Sequence, residues 1–382
     1  MIDAVRVLAF LAGAAIVVAT GASAVKTVVV PRAEHSLLQR WVFVALRRPF
    51  DWCVDRADTW ESADRMMARF APFAMILLPG VWVACVLIGF AGIHWAIEAD
   101  GWDRAFEVSG SSLLTLGFAF DHGSGSVAAT FVEAAIGLGL IALLISFLPT
   151  IYQQFSRREV LVSQLAARAG TPPTPLALFR RAKTIGWIDE IEGFWVDWER
   201  WFAEVEESHT SYMALPFFRS PNPKRSWITA TGAVLDSAAL RASTIDKPRS
   251  WRAELCLRAG YLTLRRIADT YDVAYDDDPS PTDPISVTRG EYDAVVDELV
   301  AMGVRVKPDR DQAWRDFAGW RVNYDTVLLS LCSLLMAPYA PWSSDRGLTH
   351  RVHLLSGGPS IFGTRWARRR AVPSPDALRT VE

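Results

Sequence analysis

The segment from residue 70 to residue 97 reads FAPFAMILLPGVWVACVLIGFAGIHWAI and contains no Asp, Glu, Lys or Arg over 28 residues. Two further stretches share this character: residues 7–24 (VLAFLAGAAIVVATGASA) and residues 134–156 (AAIGLGLIALLISFLPTIYQQFS). A helix needs about 20 apolar residues to cross the roughly 30 Å hydrocarbon core of a bilayer. The sequence therefore predicts three transmembrane helices, which we place at residues 1–31, 70–97 and 128–152.

The composition of the whole chain excludes several classes of protein. Of 382 residues, 51% are apolar and 21% are charged, which suits a mixture of membrane and soluble parts. Sixteen Trp and 19 Phe exclude a disordered chain, because these side chains can build a large core. The four cysteines form no CxxC pair, which argues against a disulfide scaffold and a zinc knuckle. A net charge of −2 gives no indication of nucleic-acid binding.

The distribution of Lys and Arg predicts the topology, because cytoplasmic loops carry an excess of basic residues. Residues 25–69 contain eight Lys or Arg, residues 98–127 contain only Arg104, and basic residues return after residue 156. We therefore expect a protein of the plasma membrane with the N-terminus outside, a cytoplasmic linker at residues 32–69 and a cytoplasmic C-terminal part. A cleaved signal peptide is the alternative for the first stretch, since Ala22-Ser23-Ala24 has the small residues of a cleavage site.

A short apolar segment lies between the second and third predicted spans. Residues 108–120 read VSGSSLLTLGFAF, 13 residues without a charge. This length is too short to span a bilayer and is typical of re-entrant or interfacial segments. We expect a re-entrant pore loop at residues 105–121, within a pore-loop membrane domain at residues 70–155. The predicted fold class is thus an all-α membrane protein with an α-helical cytoplasmic domain.

Five residues of this segment form a motif, Thr115-Leu116-Gly117-Phe118-Ala119, that resembles the T-V-G-Y-G filter of potassium channels. In such a filter, backbone carbonyls and the Thr hydroxyl replace the hydration shell of the ion. Thr and the first Gly match, Leu and Phe are close replacements, and Ala119 stands where the family has its second Gly. Ala would take the left-handed conformation there at a cost of about 1 kcal/mol.

The chain thus resembles two-transmembrane pore-loop potassium channels of an actinobacterial type, over less than a quarter of its length. The resemblance implies a homotetramer in the lipid bilayer, because each chain supplies one pore loop. It implies K⁺ or another monovalent cation as the permeant ion and no further cofactor or bound metal. It also implies residues that support the pore loop or lie at its mouth, namely Ser111, Ser112, Asp121 and Glu133. On the inner helix it implies hinge positions at Gly137, Gly139 and Pro149; the equal alternative is that Gly and Pro are common in membrane helices and let neighbouring helices approach. A glutamate behind the filter would brace the loop through Ser111 or Ser112; the alternative is that Glu133 lies at the membrane interface and extends into water.

The residues after the third span predict a helical cytoplasmic domain at residues 156–345. Apolar residues recur at helical spacing, and breaks rich in Pro, Asn and Asp separate the segments. Helices are predicted at residues 176–207, 227–245, 249–271, 286–302 and 309–336. The tail at residues 346–382 is basic and is expected to be flexible or to contact anionic lipid through four arginines, Arg365, Arg368, Arg369 and Arg370.

The sequence supports two hypotheses for the function. The first is a cation channel subunit whose cytoplasmic domain regulates or assembles the pore. The second is a non-conducting scaffold or sensor built on the same architecture, because the filter motif departs from the family pattern. An enzyme is not expected, since the chain contains no P-loop, HExxH, GxSxG or GxGxxG motif.

Overall fold

The computed structural model describes residues 2–28, 36–98, 100–188 and 190–346, and over these residues the chain is helical without a β-strand. The elements of the N-terminal half are α1 (Ile2–Val28), α2 (Leu37–Asp55), α3 (Trp60–Ile97), α4 (Trp102–Leu113), α5 (Ser124–Ala169) and α6 (Pro175–Thr184). Those that follow are α7 (Glu192–Ser211), α8 (Trp227–Ser243), α9 (Trp251–Thr270), α10 (Arg289–Ala301), α11 (Arg310–Arg321) and α12 (Asp325–Leu334). The four arginines of the predicted basic tail lie outside the described residues.

Three of these helices, α1, α3 and α5, are long and apolar enough to cross a membrane, as the sequence predicts. Two of them are longer than the apolar runs: α3 begins at Trp60 rather than at residue 70, and α5 extends to Ala169. An uncharged apolar run marks only the part of a helix that suits a bilayer. The helix itself continues beyond that run until a residue such as glycine ends it. For α5 that residue is Gly170, whose φ of 80° suits a glycine that ends a helix.

Helix α2 lies in the segment that the sequence predicts to be a linker. Its buried face carries Gln39, Phe43 and Arg47, whereas Trp41 and Arg48 are exposed on the other side. Because charged and apolar residues alternate on the helical period, α2 contains no uncharged run long enough to stand out. An amphipathic helix of this kind is recognised by its periodicity rather than by its mean composition.

The chain forms two compact units. Unit 1 comprises residues 1–50, 69–153 and 211–214, and unit 2 comprises residues 51–68, 154–210 and 215–382. In unit 1, α1 packs closely against α3 at Gly13 and Gly89, because a Cβ atom on either glycine would collide with the backbone of the other helix. Small residues allow such close helix contacts in membranes, where van der Waals packing holds helices together.

Helix α8 forms the centre of unit 2. All of its residues except Ala242 are buried, and it packs against α6, α9, α11 and α12. The predicted helices at 227–245, 249–271 and 286–302 correspond to α8, α9 and α10. The predicted helix at 176–207 is two helices, because the chain turns at Gly186 with a φ of 76°. The predicted helix at 309–336 is likewise divided, at Asn323, into α11 and α12.

A buried histidine is expected to make unit 2 sensitive to acid. Arg158 donates to His209 Nε2 over 3.2 Å, which fixes His209 as the neutral form with the proton on Nδ1. Burial, and secondarily the charge of Arg158, lower the pKa of His209 well below its usual 6.5. The unfolded chain therefore binds a proton that the folded unit does not.

We expect unit 2 to lose stability as the pH falls below 6.5, with a slope of about 1.4 kcal/mol per pH unit from this residue alone. Urea unfolding of the full-length protein at several pH values would measure the slope. The total tryptophan fluorescence is a suitable signal, since Trp195, Trp198 and Trp201 are buried in α7 of unit 2. His209→Gln should reduce the slope, and an unchanged slope in this variant would assign the effect to other groups.

Candidate functional site

Helix α4 and the loop after it connect the two long apolar helices α3 and α5. The last turns of α4 are buried, including Val108, Ser109, Ser111 and Leu113. The loop that follows is mostly exposed, with the apolar side chains of Leu114, Leu116, Phe118 and Phe120 each at least half exposed. A buried short helix followed by an exposed apolar loop corresponds in position to the predicted pore loop at residues 105–121.

Ser111 organises the loop with both its backbone and its side chain. Its carbonyl accepts hydrogen bonds from the backbone N–H groups of Leu116 at 2.8 Å and Gly117 at 3.4 Å. Its hydroxyl oxygen accepts a hydrogen bond from the N–H of Ala119 at 3.0 Å. By contrast, the hydroxyl of Ser112 donates to the carbonyl of Val108 in its own helix. Of the two serines that the sequence singles out, Ser111 is the one that holds the loop.

The loop contains two residues in the left-handed region of backbone conformation. Gly117 has a φ of 73°, as expected for the glycine of the TLGFA motif, and Thr115 has a φ of 56°. A β-branched residue is strained in this region, so the contacts around Thr115 must offset a cost of about 1–3 kcal/mol. Ala119 is buried and does not have a positive φ. The expectation that Ala119 takes the left-handed conformation is therefore wrong, because the loop turns earlier, at Thr115.

The far end of the loop is attached to α4 by Arg104, the only Lys or Arg between residues 98 and 127. Arg104 donates to the carboxylate of Asp121 over 3.2 Å and to the carbonyl of Phe120 over 2.9 Å. Ser111 and Arg104 thus hold the loop at its two ends.

A buried polar network connects α3, α4 and α5. Glu133 Oε1 accepts a hydrogen bond from the hydroxyl of Ser109 at 2.5 Å, and Glu133 Oε2 lies 3.1 Å from His94 Nε2. His94 Nδ1 lies 3.3 Å from the hydroxyl oxygen of Ser126. His94 and Glu133 are both fully buried. Buried ionisable groups in membrane helices mark a functional site or a required partner.

The sequence predicts that Glu133 braces the loop through Ser111 or Ser112, but the serine that donates a hydrogen bond to Glu133 is Ser109. The difference follows from the helical period of α4, which turns Ser109 toward α5 and Ser111 toward the loop. Sequence reasoning does not pair Glu133 with His94, because the two residues are 39 positions apart along the chain. Ser126 lies two turns before Glu133 on α5, but it joins the network only through His94. An ionisable residue in an otherwise apolar helix was the available signal for His94.

We expect Glu133→Ala to destabilise unit 1 by about 1–3 kcal/mol, because two hydrogen bonds are lost and His94 loses a buried partner. Glu133→Gln should cost less, since its carbonyl can still accept from Ser109 and its amide can donate to His94. Thermal unfolding in detergent would rank the variants. Equal losses for Ala and Gln would show that the charge, rather than the hydrogen bonds, stabilises the network.

The predicted hinge residues lie within α5, which continues through all of them. Gly137 is buried against the end of α4, where a Cβ atom would collide with the carbonyl oxygen of Leu113. Gly139 is exposed, with no atom near the position of a Cβ. Pro149 is also exposed and cannot donate a backbone hydrogen bond, which weakens the helix there. Gly137 therefore permits close contact between α5 and the end of α4, whereas Gly139 and Pro149 lie on the exposed surface of α5.

The end of α4, the loop and α5 line an open cavity of about 430 Å³. Its wall is mainly apolar and includes Phe120, Val127, Phe131 and Ala134. The polar groups in the wall include one oxygen of Asp121 and the hydroxyl of Thr130, and both are buried without a hydrogen-bond partner. A buried polar group without a hydrogen-bond partner carries an energetic cost.

Over the described residues, no three His, Cys, Asp or Glu side chains come together as a metal site. The candidate site thus consists of the short helix α4, a loop held by Ser111 and Arg104, and a buried hydrogen-bond network centred on Glu133. No family model matches the chain, and no curated protein or solved structure matches it significantly.

Proposed function

We propose that this protein is the subunit of a tetrameric cation channel of the plasma membrane. In this proposal α1, α3 and α5 span the bilayer, and α4 with its loop is re-entrant from the outer side. The loop at residues 115–119 lines the narrow part of the pore, with K⁺ or another monovalent cation passing along its backbone carbonyls. The observation that carries the proposal is the loop itself, turned at Thr115 and Gly117 and held by Ser111 between two long apolar helices.

The surface of α5 supports the proposal, because it has two exposed faces of different character. One face carries large apolar side chains suited to lipid: Phe131, Leu138, Ile141, Ile145, Leu148 and Tyr152. The other, which we call the small face, comprises Ala128, Ala135, Gly139, Ala142 and Ser146, with the larger Val132 among them near the loop end of the helix. The two faces are about 100° apart around the helix, the step from Leu138 to Gly139. Small residues leave room for a water-filled path along the helix.

The orientation in this proposal follows from the basic residues, with the N-terminus outside and unit 2 in the cytoplasm. Unit 2 then serves in assembly or regulation. The open and mainly apolar cavity beside the loop also favours assembly, because a neighbouring subunit can cover it.

The decisive experiment is a mass measurement of the purified full-length protein in detergent, followed by recording in planar bilayers under K⁺ and then Na⁺ gradients. We expect four copies per particle and a cation current. A stable tetramer without current would support the alternative, a non-conducting scaffold. In that case the small face would serve for helix contact, as small residues do in many membrane proteins.

A further inference from the structure

The small face of α5 continues into residues of increasing polarity. Ser146 is followed on this face by Gln153 and then by Arg157, at helical spacings of seven and four residues. All three side chains are exposed. If the small face lines the pore, Arg157 stands at the cytoplasmic end of the same path.

Two successive arginines of α5 have opposite environments. Arg158 is buried and donates to Glu159 and to the carbonyls of Leu215 and Phe218. Arg157 is exposed and makes no hydrogen bond or ion pair with any residue that the structure describes. Arginine keeps its positive charge at physiological pH. The charge of Arg157 therefore remains unneutralised within one chain, whereas that of Arg158 has a carboxylate beside it.

We propose that Arg157 makes the channel rectify inward. In a tetramer, four Arg157 side chains form a ring of positive charge at the cytoplasmic mouth. This ring lowers the local concentration of cations on that side, so that outward current is reduced more than inward current. The inference rests on the proposed function and adds the residue that sets the direction of preferred flow.

The test uses the full-length protein in planar bilayers with the same KCl solution on both sides. We expect Arg157→Gln to increase the ratio of outward to inward current about threefold at physiological salt, and more at lower salt, where charges are less screened. Arg157→Glu should increase the ratio further, because the ring then attracts cations. Arg48→Gln is the matched control, since Arg48 is an exposed arginine on α2 rather than on α5.

A second arm identifies the side of the membrane on which the residue acts. In the Arg157→Cys variant, a charged thiol reagent should change the ratio of outward to inward current only when it is added from the cytoplasmic side. Because the neutral cysteine already removes the effect of the arginine ring, a cationic reagent should restore rectification. An anionic reagent should instead raise the ratio of outward to inward current further, as Arg157→Glu does. The parent protein with its native cysteines serves as the control.

The outcomes separate this inference from the proposed function. Conducting tetramers in which the Arg157 variants keep the parent current ratio would overturn the role of Arg157 and leave the channel standing. A parent tetramer that passes no current would overturn the channel, and the inference with it.

Discussion

Replacing Arg321 by methionine is expected to destabilise unit 2 by about 3–5 kcal/mol, the usual loss when one member of a buried ion pair is removed. The Arg321 guanidinium is fully buried between two carboxylates, and it donates to Asp236 and, over 2.7 Å, to Asp325. It also donates to the carbonyl of Trp342 over 2.6 Å. Methionine fills similar space but leaves two buried carboxylates without a cation.

The loss should depend on pH. Burial raises the pKa of Asp236, and Arg321 opposes that effect. Without Arg321 the carboxylate should take up a proton more readily, so the destabilisation should shrink in mildly acidic solution.

Urea unfolding of the full-length protein would measure these differences. Arg315→Met is the matched control, because Arg315 lies exposed on the same helix and should change the free energy of unfolding by less than about 0.5 kcal/mol. Similar losses for both variants would argue against a special role for the buried charges.

Replacing Gly117 by valine is expected to abolish the current of the proposed channel. Gly117 has a φ of 73°, where an ordinary residue loses about 1–2 kcal/mol and a β-branched residue more. The loop should then abandon its turn and lose the hydrogen bond from Gly117 to the carbonyl of Ser111. Bilayer recording would measure the current, and mass measurement should show that assembly survives.

Gly80→Val is the matched control for this variant. Gly80 lies exposed in α3 without a positive φ, and no atom lies near the position of its Cβ. Valine there should leave the current unchanged. Current that persists in Gly117→Val would show that the left-handed turn is not needed for conduction.

The helices of this protein could be predicted from local signals where such signals exist. The three long apolar helices are visible as uncharged runs, and Gly170 marks the end of α5. Gly186 marks the break between α6 and α7 in the same way, although the apolar periodicity on both sides hides it. The break at Asn323 has no glycine or proline beside it, so tertiary packing decides it.

The candidate site could be predicted where it depends on neighbouring residues in the chain, but not where it depends on the packing of separate helices. Gly117 lies in a motif whose backbone requirement can be read locally, and its positive φ is confirmed. The partners of Glu133 depend on how three helices pack, and His94 is 39 residues away along the chain. No local pattern encodes such a distance. The role of Ser111 was easier to predict, because Ser111 lies about one helical turn before the motif.

The complete burial of α8 has a consequence for hydrogen exchange. An amide in a helix exchanges with solvent when that helix opens, and helices at a surface can open on their own. Helix α8 has no face at the surface of unit 2, so it cannot open without disrupting the helices packed against it. Its amides therefore exchange only through the largest opening of the unit. Their exchange rates report the free energy of that opening directly, in the absence of denaturant.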